Sequence, residues 1–76
     1  MNNIVISGYY GFGNAGDEAM LCAIIDAIRK EEADAHITVI SGNPTETSKK
    51  HNIHAVGTFS AFGILKAIAN SDLVIS

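Results

Sequence analysis

One cysteine, one proline, no tryptophan and only five Lys or Arg residues occur among the 76 positions of this chain. A single cysteine closes no internal disulfide and completes no zinc site, so nothing here points to an oxidising compartment. Five bases against eight acids give a net charge of −3 and no dense basic stripe, which argues against a nucleic-acid backbone as partner. The N-terminus MNNIVISGYYG has no basic n-region and only the short apolar run Ile4 to Ile6, so it does not read as a signal peptide. No apolar stretch approaches the roughly 20 residues that span a bilayer. The chain is nevertheless 47% hydrophobic, enough to build a core and to exclude a disordered tail or low-complexity linker. A soluble, cytoplasmic protein of one domain at most, in a reducing setting, is expected.

What is present alternates. Four β-like runs, Asn3 to Ser7, His36 to Ser41, Ile53 to Val56 and Leu73 to Ser76, are rich in Ile and Val. Their apolar residues stand at consecutive positions, the habit of parallel strands covered on both faces. Between them lie helical segments. From Glu18 to Glu32, Met20, Leu21, Ile24, Ile25 and Ile28 fall on one stripe, opposite Asp26, Arg29 and Lys30. Cys22 sits off that stripe and reads as a small residue beside the core. A second helix has Asn43 as cap, Pro44 at its first position, Glu46 at capping-box spacing, and Lys49 and Lys50 at its end. It has no large apolar side chain, so a short and mostly solvated helix is expected. A third is capped by Ser60, with Phe59 and Ile64 spaced as a hydrophobic staple and Phe62, Leu65, Ile68 and Ala69 as its buried stripe.

The resulting βαβαβαβ order, with right-handed crossovers, favours an α/β, Rossmann-like parallel sheet of order 3-2-1-4. Two helices would then cover one face and the third would lie alone on the other. The fourth strand would be a bare apolar edge, which natural sheets avoid. Residues 1–76 are therefore expected to be the N-terminal, Rossmann-like part of a longer protein, partnered by the C-terminal half of the same chain.

The chemistry is expected in the loop Gly8-Tyr9-Tyr10-Gly11-Phe12-Gly13-Asn14-Ala15-Gly16-Asp17-Glu18. A loop leaving the first strand at the point where strand order reverses is where open α/β sheets bind ligands. Its glycines admit close backbone approach, and free N–H groups at a helix start favour an anion. Gly11 to Gly16 matches G-x-G-x-x-G, but Tyr9 and Tyr10 intervene after the strand. No acid follows Ile40-Ser41-Gly42 to hold a ribose, and the Lys-Ser/Thr ending of a P-loop is missing. Asp17 and Glu18 would repel a phosphate placed directly there, whereas a sugar hydroxyl suits them and Asn14. Each has a purely structural reading too: Asp17 as helix cap, Glu18 as a first-turn acid, Asn14 as a turn residue. The aromatics suit either packing or sugar stacking. His36, His51 and His54 read as strand-start and surface residues, and no metal site is expected.

Residues 8 to 19, Gly-Tyr-Tyr-Gly-Phe-Gly-Asn-Ala-Gly-Asp-Glu-Ala, resemble the N-terminal signature of the polysaccharide pyruvyltransferase family, in particular its CsaB-type members. The resemblance continues through Ile37 to Pro44 and Ser71 to Ser76, and so covers essentially the whole chain. It implies a two-domain, glycosyltransferase-B-like fold of which this is the first part. It implies transfer of an enolpyruvyl unit from phosphoenolpyruvate, the donor substrate, to a sugar. The product is a pyruvate ketal, formed on N-acetylmannosamine of a polysaccharide or lipid-linked saccharide in cell-wall biogenesis and serving to anchor surface-layer proteins. No further cofactor is implied. Asp17 and Glu18 are then the candidate catalytic residues, and Tyr10, Gly11, Phe12, Gly13, Asn14 and Gly16 the candidate substrate-binding ones. None of the five cations is expected to point at the loop, so the donor-binding groups would lie outside these residues. An NAD(P)-binding oxidoreductase domain and a non-catalytic Rossmann-like module are the alternatives.

Overall fold

The computed structural model describes residues 2–76. Strand β1 (Asn3–Tyr10) leads to helix α1 (Ala15–Glu31), then β2 (His36–Ser41), α2 (Pro44–His51), β3 (His54–Gly57), α3 (Ala61–Ala69) and β4 (Leu73–Ile75). All pairings are parallel and the sheet order is β3-β2-β1-β4, as the alternation predicts. The order reverses at β1, which has β2 on one side and β4 on the other. The loop leaving its carboxyl end therefore occupies the topological switch point. Among the described residues no helix is long and apolar enough to cross a membrane.

The consecutive apolar runs divide between two faces because successive side chains on a strand alternate. Ile4 and Ile6 of β1 and Ile37 and Val39 of β2 join Leu21 and Ile25 of α1 and Ile53 in one buried cluster, with Ile24 and Ile28 packed against it. Val5, Thr38 and Ile40, also buried, are the residues between those in sequence and take the other face. Met20 departs from the expected stripe and is 59% exposed, because the helix turns it away from the sheet. Arg29 closes the α1–β2 turn by donating from one guanidinium nitrogen to the Ala33 and Ala35 carbonyls, at 3.1 and 2.7 Å.

Helix α2 follows its sequence closely. The Asn43 side chain accepts from the Glu46 amide at 3.3 Å, Pro44 opens the helix, and Asn52 ends it in the left-handed region at φ 53°. The reciprocal half of the capping box is absent, because the Asn43 amide donates to Ser41 Oγ at 3.0 Å instead. That hydroxyl also meets Thr47 Oγ1 at 2.7 Å, so two buried polar groups tie α2 to the end of β2.

Helix α3 overturns its expectation. Phe62 is 82% exposed and Leu65 67%, and Ile68 and Ala69 are exposed too. The half-buried side is Gly63, Ile64 and Ala67. Small residues let the helix lie close to the strands, as the position of Val56 Cβ, 3.8 Å from where a Cβ on Gly63 would stand, illustrates. Phe62, Leu65 and Ile68 consequently turn outward, while Ile64 stays half-buried beside the small residues. Phe59 is 91% exposed and forms no staple with Ile64, and Ser60 caps without a side-chain hydrogen bond.

Candidate functional site

The approach to the loop begins with a longer β1 than expected. The strand continues through Gly8, Tyr9 and Tyr10 instead of ending at Ser7. Pairing runs from Ile6 opposite Val39 to Tyr10 opposite Ser41, so β1 spends four residues where β2 spends two, and an irregularity absorbs the excess. This local shift turns Tyr10 into the core, where it is only 6% exposed. Tyr10 is thus a packing residue and its ring offers no stacking surface, contrary to its expected place in a substrate pocket. Tyr9 and Phe12 remain outside, 68% and 41% exposed, and stack on each other with centroids 4.3 Å apart and planes 16° from parallel. Phe12 lies over Gly42, where a Cβ would stand 2.6 Å from the ring. The extension of β1 also removes the objection that two tyrosines interrupt the G-x-G-x-x-G match: Gly11 follows the strand directly.

Gly11 and Gly13 both have φ of +81°, the left-handed region that side chains disfavour. At Gly11 space is equally decisive, since a Cβ there would come within 2.6 Å of the Asn43 amide nitrogen. The loop is thereby pressed against the β2–α2 turn. Helix α1 then starts three residues earlier than the periodicity suggests. Its N-cap is Asn14, not Asp17: Asn14 Oδ1 accepts from the amides of Gly16 at 2.9 Å and Asp17 at 3.2 Å. Glu18 sits one turn in, and its Oε2 accepts from the Gly11 amide at 3.0 Å.

These bonds change the electrostatics of the site. The amides of Gly11, Gly16 and Asp17, expected to await an anion, are taken by the chain's own side chains. Gly16 serves in the cap and Gly11 in the loop clamp; neither presents a bare donor. The Asp17 carboxylate, half-buried in the first turn, has no hydrogen bond or ion pair among the described residues. Glu18 is different. Donation from Gly11, assisted by the nearby His51 ring and the Lys50 ammonium, holds its carboxyl below the ordinary value of 4.5 against the opposing effect of burial. A carboxyl so held stays ionised at neutral pH, and through its bond to Gly11 Glu18 fastens the loop.

Beside the loop opens a cleft of 580 Å³, lined by Gly13, Ala15, Glu18, Cys22, Lys50 and His51 among others. Three of these correct the sequence reading. Cys22 is exposed on the cleft, not tucked beside the core. Lys50 does face the loop, against the expectation that no cation would. His51 is not a surface residue: its side chain is only 7% exposed, and its Nε2 lies 3.5 Å from Glu18 Oε1. No sequence signal marks it, because the contact joins residues 33 positions apart through a helix with no apolar stripe. His36 and His54, by contrast, do start their strands and are exposed, with rings 6.1 Å apart. No three His, Cys, Asp or Glu side chains among the described residues are grouped to hold a metal ion.

No family model, curated protein or solved structure matches the chain.

Proposed function

We propose that the chain supplies one wall of a carbohydrate site in a cytoplasmic enzyme that moves the enolpyruvyl unit of phosphoenolpyruvate onto a sugar hydroxyl. The sugar would belong to a cell-wall polysaccharide precursor, presented as a lipid-linked saccharide at the inner face of the membrane. The signature of residues 8 to 19 supports this reading. The observation that carries it further is the occupation of the Gly11, Gly16 and Asp17 amides by Glu18 and Asn14. A loop so arranged is a poor phosphate cradle, while the unengaged carboxylate of Asp17 is an acceptor for hydroxyl groups. The exposed Tyr9–Phe12 pair adds a flat apolar surface of the kind sugar rings stack on.

In the reaction a proton adds to the methylene carbon of the donor and leaves positive charge at its second carbon. A sugar hydroxyl adds there and gives up its proton, for which Asp17 is the proposed acceptor. The bond to phosphate oxygen then breaks, phosphate departs with the bonding pair, and a second hydroxyl closes the ketal with loss of its own proton. Phosphate and carboxylate need cationic partners. Lys50, on the cleft beside the loop, would provide one, and the others would come from outside these residues.

The competing reading is dinucleotide binding, which the extended β1 favours. Against it stand the capped amides and the end of β2, where Ser41 is buried and bonded to Thr47 instead of offering an acid to a ribose. The deciding experiment uses the protein that carries this chain. Incubated with phosphoenolpyruvate and an N-acetylmannosamine-bearing acceptor, it should release phosphate and form the ketal, while NADH should not bind. Asn14→Ala or Asp17→Ala should lower turnover about tenfold or more, the scale of one lost acid–base or positioning group. Saturable NADH binding with no phosphate release would establish the alternative; neither result would leave a non-catalytic module.

A further inference from the structure

We propose that His51, at the far end of α2, is a positioning residue for the β1–α1 loop, acting through Glu18. Its importance to catalysis rests on the reading given under Proposed function; its effect on the loop does not. The chain of contacts is short. Glu18 Oε2 holds the Gly11 amide at 3.0 Å, while Glu18 Oε1 faces His51 Nε2 at 3.5 Å. Each carboxylate oxygen therefore has a separate assignment, and the one on Gly11 fixes the residue at which the backbone turns to positive φ.

His51 is well suited to this task and to little else. Its ring is more than nine-tenths buried, and among the described residues Nε2 has no hydrogen-bond partner, the Glu18 contact at 3.5 Å being longer than an ordinary bond of that kind. A buried ring nitrogen left without a partner costs free energy unless a nearby charge compensates it. Here the compensating charge is an ionised glutamate, and the attraction is mutual: the ring keeps Glu18 from swinging out of the loop. The other ionisable groups on the same cleft are Cys22 of α1 and Glu46 and Lys50 of α2. Of these, Lys50 reinforces the negative charge of Glu18. Helix α2 is in turn fixed to the sheet by the Ser41–Thr47 hydroxyl pair, and Ser48 Oγ donates to the Ile53 carbonyl at 2.8 Å. The shape of the loop is thus set by the β2–α2 unit as well as by its own glycines.

The test is amide hydrogen exchange on the protein that carries this chain, with Gly11 as reporter and Val39, in the core, as reference. In His51→Phe, which fills the ring's space without its nitrogens, protection of Gly11 should fall about fivefold or more while that of Val39 is unchanged. His51→Gln, which returns a side-chain N–H donor, should restore most of it. Equal protection in wild type and His51→Phe would overturn the proposal, as would equal loss in both variants. Should the phenylalanine variant not fold, the unmodified chain still decides: a nuclear Overhauser contact between the His51 ring and the Glu18 side chain is expected, and its absence overturns the proposal. Phosphate release by the protein carrying the chain, assayed separately, distinguishes the two claims. No release with an intact Gly11 effect removes the transferase reading alone, and release with no Gly11 effect removes the role of His51 alone.

Discussion

The two faces of the sheet each receive a helix with an apolar stripe and treat it in opposite ways. On one face α1 buries Leu21 completely and Ile25 nearly so, against Ile4, Ile6, Ile37 and Val39. On the other, α3 presents Gly63 and Ala67 to the strands and leaves Phe62 and Leu65 in the open. An apolar stripe says that a helix has something to bury; it does not say which neighbour will bury it. For α1 that neighbour is the sheet, because its 17 residues run the length of the central strands. For α3 the side toward the sheet is built from Gly63 and Ala67 with Ile64, and the two small residues allow the close contact.

The sharpest way to break this comparison is to truncate one leucine on each side. Leu21→Ala should cost about 2–5 kcal/mol of unfolding free energy, because it removes buried methyl groups and leaves a cavity. Leu65→Ala, 67% exposed, should change stability by no more than about 0.5 kcal/mol. Urea titrations of the two variants and the parent, read by circular dichroism, measure both. At this size only about 60% of the unfolded surface is buried, so the first loss is expected to move the midpoint sharply to lower urea. Equal effects would mean that α3 is as deeply packed as α1.

The contrast also locates what the amino-acid pattern could and could not convey. Strand identity, parallel pairing and order were all readable, because Ile-rich runs at consecutive positions allow few alternatives once crossovers are right-handed. The caps of α2 were readable because Asn43-Pro44 acts locally. Missed were the features set by distant partners. Nothing near Tyr10 says that an irregular pairing with Ser41 will turn its ring inward, and nothing near His51 says that Glu18 lies across the cleft. Apolar periodicity starts α1 late because Ala15-Gly16-Asp17 carries no large apolar residue, although Asn14 is a capping side chain. In the loop, the amides of Gly11, Gly16 and Asp17 are engaged by Glu18 and Asn14, and internal hydrogen bonds of this kind leave no mark in a glycine pattern.

The closed face is further sharpened at its rim by Asn14. Removing the side chain that holds two helix amides, as in Asn14→Ala, should cost about 1 kcal/mol, whereas Asn14→Asp preserves an acceptor and should cost much less. Thermal melts at low salt give the comparison. A smaller effect is expected from Glu18, and it has a pH signature. Its folded value lies below 4.5, so its contribution to stability is complete above that pH and is lost as the pH falls through the folded value. Glu18→Gln retains an acceptor for Gly11 but cannot ionise. The stability difference between parent and variant should therefore be constant near neutral pH and shrink below about pH 4.5. A difference independent of pH would show that the charge of Glu18 plays no part in holding the loop.

The least effect should come from the outer side of α3. Phe62 is 82% exposed, so replacing it with serine forfeits little buried area and should alter stability by no more than about 0.5 kcal/mol. What should change is the surface. Phe62 stands on the same helix face as Leu65 and Ile68, and a row of exposed large apolar side chains binds hydrophobic dyes and promotes association. Anilinonaphthalene sulfonate fluorescence should therefore fall in Phe62→Ser while the urea midpoint stays in place. If the midpoint moved by more than the Leu65→Ala control and dye binding did not change, Phe62 would have to be covered in solution. The asymmetry between the faces would then reflect a contact that α3 makes elsewhere, not the small-residue packing of Gly63 and Ala67.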